Sequence, residues 1–186
     1  PINSSYLPGS KVATLPANLS AQAAGRGFTV VPTSKGVSVG VFALIGRIYM
    51  NMPADDPFAA ADRVLMTLPR AVKVTVCDFH AEASSEKVAM GHHLDGRASF
   101  VFGTHTHVPT ADAKILQAGT AFISDVGMTG PYDSVLGRRK DRGRKHWTSN
   151  MPHSFEVARN DVRLCGAIAE VDESAGRALS VEGVEV

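Results

Sequence analysis

Apolar positions along the chain fall into two rhythms. In "GVSVGVFALIGRIYM", from Gly36, β-branched and small residues alternate before the run turns continuously apolar, the pattern of a central strand covered on both faces. "ADDPFAAADRVLMTLPR" switches to helical spacing: Asp55 and Asp56 stand before Pro57, a carboxylate cap followed by proline in the first turn, so a helix is predicted over 57–68. The same reading gives a strand over 71–79 ("AVKVTVCDF"), a helix over 84–96 stopped near Gly96, a strand over 98–103 and another over 119–128. Strands and helices that alternate in this way make an α/β layered fold. In the tail, short alternating runs separated by "RND" and "DESAG" predict antiparallel hairpins.

Composition narrows the picture only a little. A chain of 186 residues with 44% hydrophobic content is long enough to bury one sizeable core. A net charge of +1 selects neither nucleic acid nor membrane nor an acidic partner. Two cysteines, with Cys77 inside an apolar stretch, argue against a disulfide framework and for buried, inert thiols in a reducing cytoplasm. No apolar run approaches the ~20 residues that cross a bilayer, so a soluble protein is expected. The first residues, from Pro1 to Gly27, are rich in Pro, Ser and Gly and show little periodicity, which reads as a start in mid-protein.

Candidate chemistry gathers where the predicted strands finish. "VTVCDFHAE" delivers Asp78, His80 and Glu82; "FVFGTHTH" delivers His105 and His107; "AFISDVG" delivers Asp125. In open α/β sheets such ends are rigidly aimed and face a crevice. His105 and His107 are two residues apart, so in an extended segment both imidazoles point to one side, roughly 6–7 Å apart at Cα, a spacing suited to two neighbouring metal positions. His80 adds a third imidazole, and Gly103 is expected to let the chain turn sharply beside a bound ion. Asp125 reads equally as an acceptor orienting a histidine and as the cap of the Gly127–Pro131 turn. Asp78 reads as an orienting or structural carboxylate. His92, His93, His146 and His153 read as surface or packing residues.

Charge is densest in "GRRKDRGRKHW", where Arg138, Arg139, Lys140, Arg142, Arg144 and Lys145 face a single acid, Asp141. A solvated loop accounts for it, and a phosphate-steering rim is the sharper alternative. Trp147 beside it is expected to be buried in the core, with base stacking as the other reading.

Residues 78–137, "DFHAEASSEKVAMGHHLDGRASFVFGTHTHVPTADAKILQAGTAFISDVGMTGPYDSVLG", resemble the YmdB-type branch of the calcineurin-like metallophosphoesterases: D-F-H-A-E, the S-E-K helix, L-D-G-R, G-T-H-T-H and D-V-G-M-T-G-P stand in order and nearly ungapped. "GRGFTVV", "DDPF" and "MPHSFEVA" extend the resemblance to roughly residues 25–186. It implies an α/β/β/α sandwich, a two-metal centre of iron or manganese, with zinc as an alternative, and hydrolysis of 2′,3′-cyclic nucleotides or related phosphodiesters. His80 and His105 would bind one metal and His107 the other.

The family's Asp motif, its bridging acid and its G-N-H motif have no counterpart in the chain, and residues 1–24 match poorly, "LPAN" standing where the family has R-P-A-N, with Leu15 for the arginine. The chain is therefore expected to be the C-terminal two thirds of a single metallophosphoesterase domain. It would supply the histidine ligands with no catalytic acid of its own, and be weakly active or inactive alone. A nucleotide substrate, possible contact with RNA, no membrane and a homo-oligomeric state complete the expectations. The competing readings are a non-catalytic RNA-binding module using residues 138–145, and a mononuclear zinc site.

Overall fold

The computed structural model describes residues 16–20 and 26–186. Its centre is a six-stranded sheet built from β1 (Phe28–Pro32), β2 (Ser38–Ile45), β3 (Val74–His80), β4 (Phe100–Thr104), β5 (Lys114–Ile115) and β6 (Ala121–Ile123), in the order β1-β2-β3-β4-β6-β5. β2, β3, β4 and β6 run parallel, and antiparallel β1 and β5 close the two edges. The parallel strands therefore all finish at one end of the sheet, where His80 and the loop after Thr104 lie.

Two helices cover one face. α1 (Pro57–Thr67) starts as its sequence dictates: the Asp56 carboxylate accepts from the Phe58 N–H at 2.9 Å, with Pro57 in the first turn. α2 (Ser84–His93) follows β3 and ends ahead of Gly96, whose φ of +74° suits only glycine without strain. Ala60, Ala61, Val64 and Leu68 from and just after the first helix, and Met90 and Leu94 from and just after the second, pack on Phe42, Leu44, Cys77, Phe79, Val101 and Phe122. Period-two alternation puts Cys77 and Phe79 on this face and leaves Val76, Asp78 and His80 for the other.

The tail supplies the second face. β7 (Gly130–Pro131) pairs with β8 (Val162–Arg163), while β9 (Cys165–Asp172) and β10 (Arg177–Glu185) form the hairpin expected around "DESAG". Ala167, Ala169, Ala178 and Val181 of this hairpin pack against Phe100, Ala121, Ile123, Val76 and Phe102. Helices, sheet and hairpin give the mixed α/β layering expected of the sandwich.

Several expectations change. β2 is second from the edge rather than central: Phe42 and Leu44 are buried, whereas Val39, Val41 and Ala43 on the opposite face are only half-buried, because β10 packs over β5 and β6 instead. An apolar groove of about 470 Å³, lined by Val37, Val39, Val74, Val76 and Phe100 with Ala167, Ala169 and Val171, remains there. The strand at 119–128 shrinks to Ala121–Ile123, since Ser124 and Asp125 leave the ladder for side-chain partners. The charged stretch at 138–145 is not a loop: α3 (Lys140–Ser149) begins within it, Gly143 packing against Val135. Trp147 on that helix is 75% exposed and belongs to no core. Of the "LPAN" stretch, Leu15 lies outside the described residues, Pro16 bridges Ala43 of β2, and the fully buried Asn18 bonds Ile45 through both its N–H and C=O.

A candidate metal centre at the strand ends

β3 and β4 bring two of the three histidines together. Their parallel register sets His80 beside Thr104 and Asp78 beside Phe102, so Asp78, His80 and Thr104 share one face. His105 follows immediately, and its Nδ1 lies 2.9 Å from His80 Nε2, the rings meeting edge to face. The other nitrogen of each ring is also engaged: His80 Nδ1 lies 3.0 Å from Thr104 Oγ1, and His105 Nε2 lies 2.9 Å from Glu82 Oε2.

Thr104 donates its hydroxyl proton to Asp78 Oδ1 at 2.8 Å, so its oxygen is free to accept the N–H of His80. That fixes the tautomer of His80 with its lone pair on Nε2, facing His105. Burial, and then the neighbouring His105, hold the His80 pKa down to about 4, so the ring is neutral at pH 7. Burial pushes Asp78 up to about 6, against the opposing Thr104 hydrogen bond.

The loop behind His105 is anchored from the core. Lys87 and Asp125, 2% and 1% exposed, form an ion pair at 2.8 Å. The same carboxylate accepts from Thr106 N at 3.0 Å, Thr106 Oγ1 at 2.7 Å and Gly127 N at 2.9 Å. Asp125 thus caps the turn at Gly127, as one of its two readings had it; in place of the histidine ring of the other reading, its carboxylate holds Thr106, the residue between the two loop histidines. Gly103 acts differently from expectation. Its φ is that of an ordinary strand, and its lack of a side chain serves close packing: a Cβ there would lie 1.7 Å from the Ser124 carbonyl oxygen.

His107 is exposed, and the extended-segment geometry does not apply to it, because β4 ends at Thr104 and His105 and His107 take φ of +112° and +65°. The structure therefore joins His80 to His105 and leaves His107 at the surface of the same loop. Among the described residues no group of three or more His, Cys, Asp or Glu side chains is arranged to hold a metal ion. What is present fits part of one. Metal–nitrogen bonds to histidine run about 2.0–2.1 Å, so two imidazole nitrogens 2.9 Å apart suit neighbouring positions on a single ion once His105 Nδ1 gives up the proton it donates to His80 Nε2. The Asp78–Thr104 brace on His80 is the outer support such ligands need.

The other sequence candidates fall away from this centre. His93 bonds Asp62 at 2.9 Å and packs edge-on to Phe58, and His92 is exposed. Cys77 and Cys165 are free and buried. Around α3 the basic excess is partly cancelled, as Arg139, Lys140 and Arg142 pair with Asp141, Asp133 and Glu156. Lys87, Glu86, Thr104 and Thr106 were not singled out by the chemistry of the strand ends. Their partners lie 19 to 39 positions away, which no local pattern reveals.

Comparison with known proteins gives the chain's relatives. The chain is 43% identical over 169 residues to the 2′,3′-cyclic-nucleotide 2′-phosphodiesterase of Bacillus subtilis (strain 168), covering 91% of this chain and 63% of that relative's length. The chain thus spans less than two thirds of that relative. It superposes on the crystal structure of a hypothetical protein from Thermus thermophilus with a TM-score of 0.86 at 37% identity, covering 92% of this chain and 66% of the other. Against the crystal structure of a novel phosphatase from Mycoplasma pneumoniae the TM-score is 0.83 at 32% identity, with 92% and 62% coverage. The family model described as YmdB-like protein matches residues 5–184, and the chain belongs to that YmdB-like family.

Proposed function

We propose that this chain carries the histidine-bearing part of a metal-dependent phosphodiesterase site acting on 2′,3′-cyclic nucleotides. The observation that supports it most is the His80–His105 contact at 2.9 Å, at the shared end of two parallel strands, with His80 braced by Thr104 and Asp78. The named activity of the Bacillus subtilis relative supplies the substrate class.

His80 and His105 would hold one ion and His107 a second, with iron or manganese expected and zinc as the alternative. When bound, such ions polarise phosphoryl oxygens and lower the pKa of a bound water. The chain's own residues prepare for this. Asp78 and Thr104 keep the proton on His80 Nδ1 and the lone pair on Nε2. Burial keeps that ring neutral, so no proton must be displaced from it at pH 7. Lys87 and Asp125 fix Thr106, and with it the direction in which the loop histidines leave the sheet.

With no third donor converging among the described residues, metal binding by the chain alone is expected to be weak and turnover slow. The test measures Mn²⁺ uptake and hydrolysis of 2′,3′-cyclic AMP at millimolar metal, for the wild type and for His80→Ala, His105→Ala and His107→Ala. Metal-dependent hydrolysis that is lost in His80→Ala and His105→Ala supports the proposal. Mn²⁺ uptake unchanged in His80→Ala and His105→Ala, or hydrolysis that persists in full without both of these rings, refutes it.

A further inference from the structure

We propose that the loop Gly46–Met50 is a nucleotide-gripping arm, in which Tyr49 stacks on the base and Arg47 holds a phosphate oxygen. The assignment rests on the phosphodiester reading of the histidine site and adds the part of the substrate that those histidines do not touch.

Placement comes from the sheet. Ile45 of β2 is in register with His80 of β3, and the next residue, Gly46, donates its N–H to the His80 carbonyl at 2.9 Å. The loop therefore leaves the sheet directly beside the histidine pair. Its backbone is held from beneath by buried groups. The Glu86 carboxylate, 6% exposed, accepts from Arg47 N at 2.9 and 3.2 Å and from Ile48 N at 3.3 Å. Asn18 holds Ile45 from the other side. Gly46 sits so close to this support that a Cβ would lie 2.5 Å from both Ala81 Cβ and Glu86 Oε2.

Folding alone gives no reason for what this clamp displays. Tyr49 is 86% exposed and adopts a φ of +60°, a conformation that bulky L residues avoid. Arg47 is exposed, and its guanidinium has no ionic partner among the described residues. A rigid backbone that holds out a flat aromatic ring and an unpaired guanidinium two residues apart matches the two recognisable parts of a nucleotide, its base and its phosphate. Pre-forming the arm reduces the ordering cost of binding. Because every base offers a π-face, the arm accepts purines and pyrimidines alike. Trp147, the other strongly exposed aromatic among the described residues, sits on α3 and has no such tie to the histidine strands.

The experiment compares adenosine 2′,3′-cyclic phosphate with base-free methyl riboside 2′,3′-cyclic phosphate, in Mn²⁺, for wild type, Tyr49→Ala, Tyr49→Phe, Arg47→Ala and Arg47→Lys. Tyr49→Ala is expected to raise KM for the nucleoside ester about 5- to 140-fold, the worth of one base–aromatic stack, while leaving the base-free ester unchanged. Tyr49→Phe keeps the wild-type value. Arg47→Ala raises KM for both esters, and Arg47→Lys recovers part of the loss. Equal KM for the nucleoside ester in wild type and Tyr49→Ala overturns the proposal. Should neither ester be hydrolysed by the chain alone, the dissociation constant of adenosine 2′-monophosphate measured by calorimetry replaces KM, independently of the phosphodiesterase reading. Tyr49-dependent binding then sustains the arm, and either no binding or binding indifferent to Tyr49 overturns it.

Discussion

Removing the Asp125 carboxylate should destabilise the fold through the charge it leaves behind. In Asp125→Ala the Lys87 ammonium, 2% exposed and 2.8 Å from its partner in the native state, would be buried with no counter-charge, a situation that costs about 3–5 kcal/mol. A domain of this size has only about 5–15 kcal/mol in total. Lys87→Met is milder, about 1–3 kcal/mol, because the carboxylate keeps Thr106 N, Thr106 Oγ1 and Gly127 N as donors. The double variant Lys87→Met/Asp125→Ala removes both charges and should be more stable than Asp125→Ala alone, falling short of the summed single losses by about 2–3 kcal/mol. Equilibrium urea unfolding followed by circular dichroism, with the slope checked for constancy, measures all four proteins. If Asp125→Ala is too unstable to fold, recovery of a cooperative transition in the double variant reports the same coupling. Additive losses would refute the reasoning, since they would mean that neither charge depends on the other. Losing the Thr106 anchor should also weaken Mn²⁺ uptake about 10- to 100-fold, as removal of outer supports does at other metal sites.

Two further outcomes follow from the same geometry. Asp78, held near pH 6 in the fold against 3.8 as its ordinary value, binds its proton more readily when folded, so acidification from pH 6 to 4 stabilises the fold through it; His80, near 4 against 6.5, works in the opposite direction over nearly the same window. In EDTA, Asp78→Asn should therefore lose about 1–3 kcal/mol more than wild type between pH 6.5 and 4, and parallel stability profiles for the two proteins would contradict this. Gly103→Ala forces a Cβ to within 1.7 Å of the Ser124 carbonyl oxygen just beyond β6, so β4 and the segment after β6 must separate at a cost of about 1–3 kcal/mol or more, and an unchanged urea midpoint would show the contact to be relaxed.

Much of this architecture could be read from local pattern. Alternation in "VTVCDFH" sends Cys77 and Phe79 toward the helices and so fixes the face on which Asp78 and His80 emerge. Asp56 and Pro57 mark the start of α1, and "DESAG" marks the final hairpin. Local pattern fails where backbone conformation or distant partners decide. Nothing in "GTHTH" announces that His105 and His107 both take positive φ, which turns an assumed extended pair into one inward and one exposed ring. The Lys87–Asp125 pair joins residues 38 positions apart. α3 was hidden because Gly143 and a run of charges obscure helical spacing, and its polar surroundings leave Trp147 with no core to enter.

Because Asp125 is gripped by a helix, a turn and the histidine loop at once, that loop has no hinge of its own. The Thr106 amide should exchange its hydrogen for deuterium only on the slow clock of whole-domain opening, as buried strand amides do, while exposed segments such as 150–156 exchange orders of magnitude sooner. Warming would then erase the histidine geometry and the sheet in a single step, with no intermediate temperature at which the fold survives and the pair has come apart.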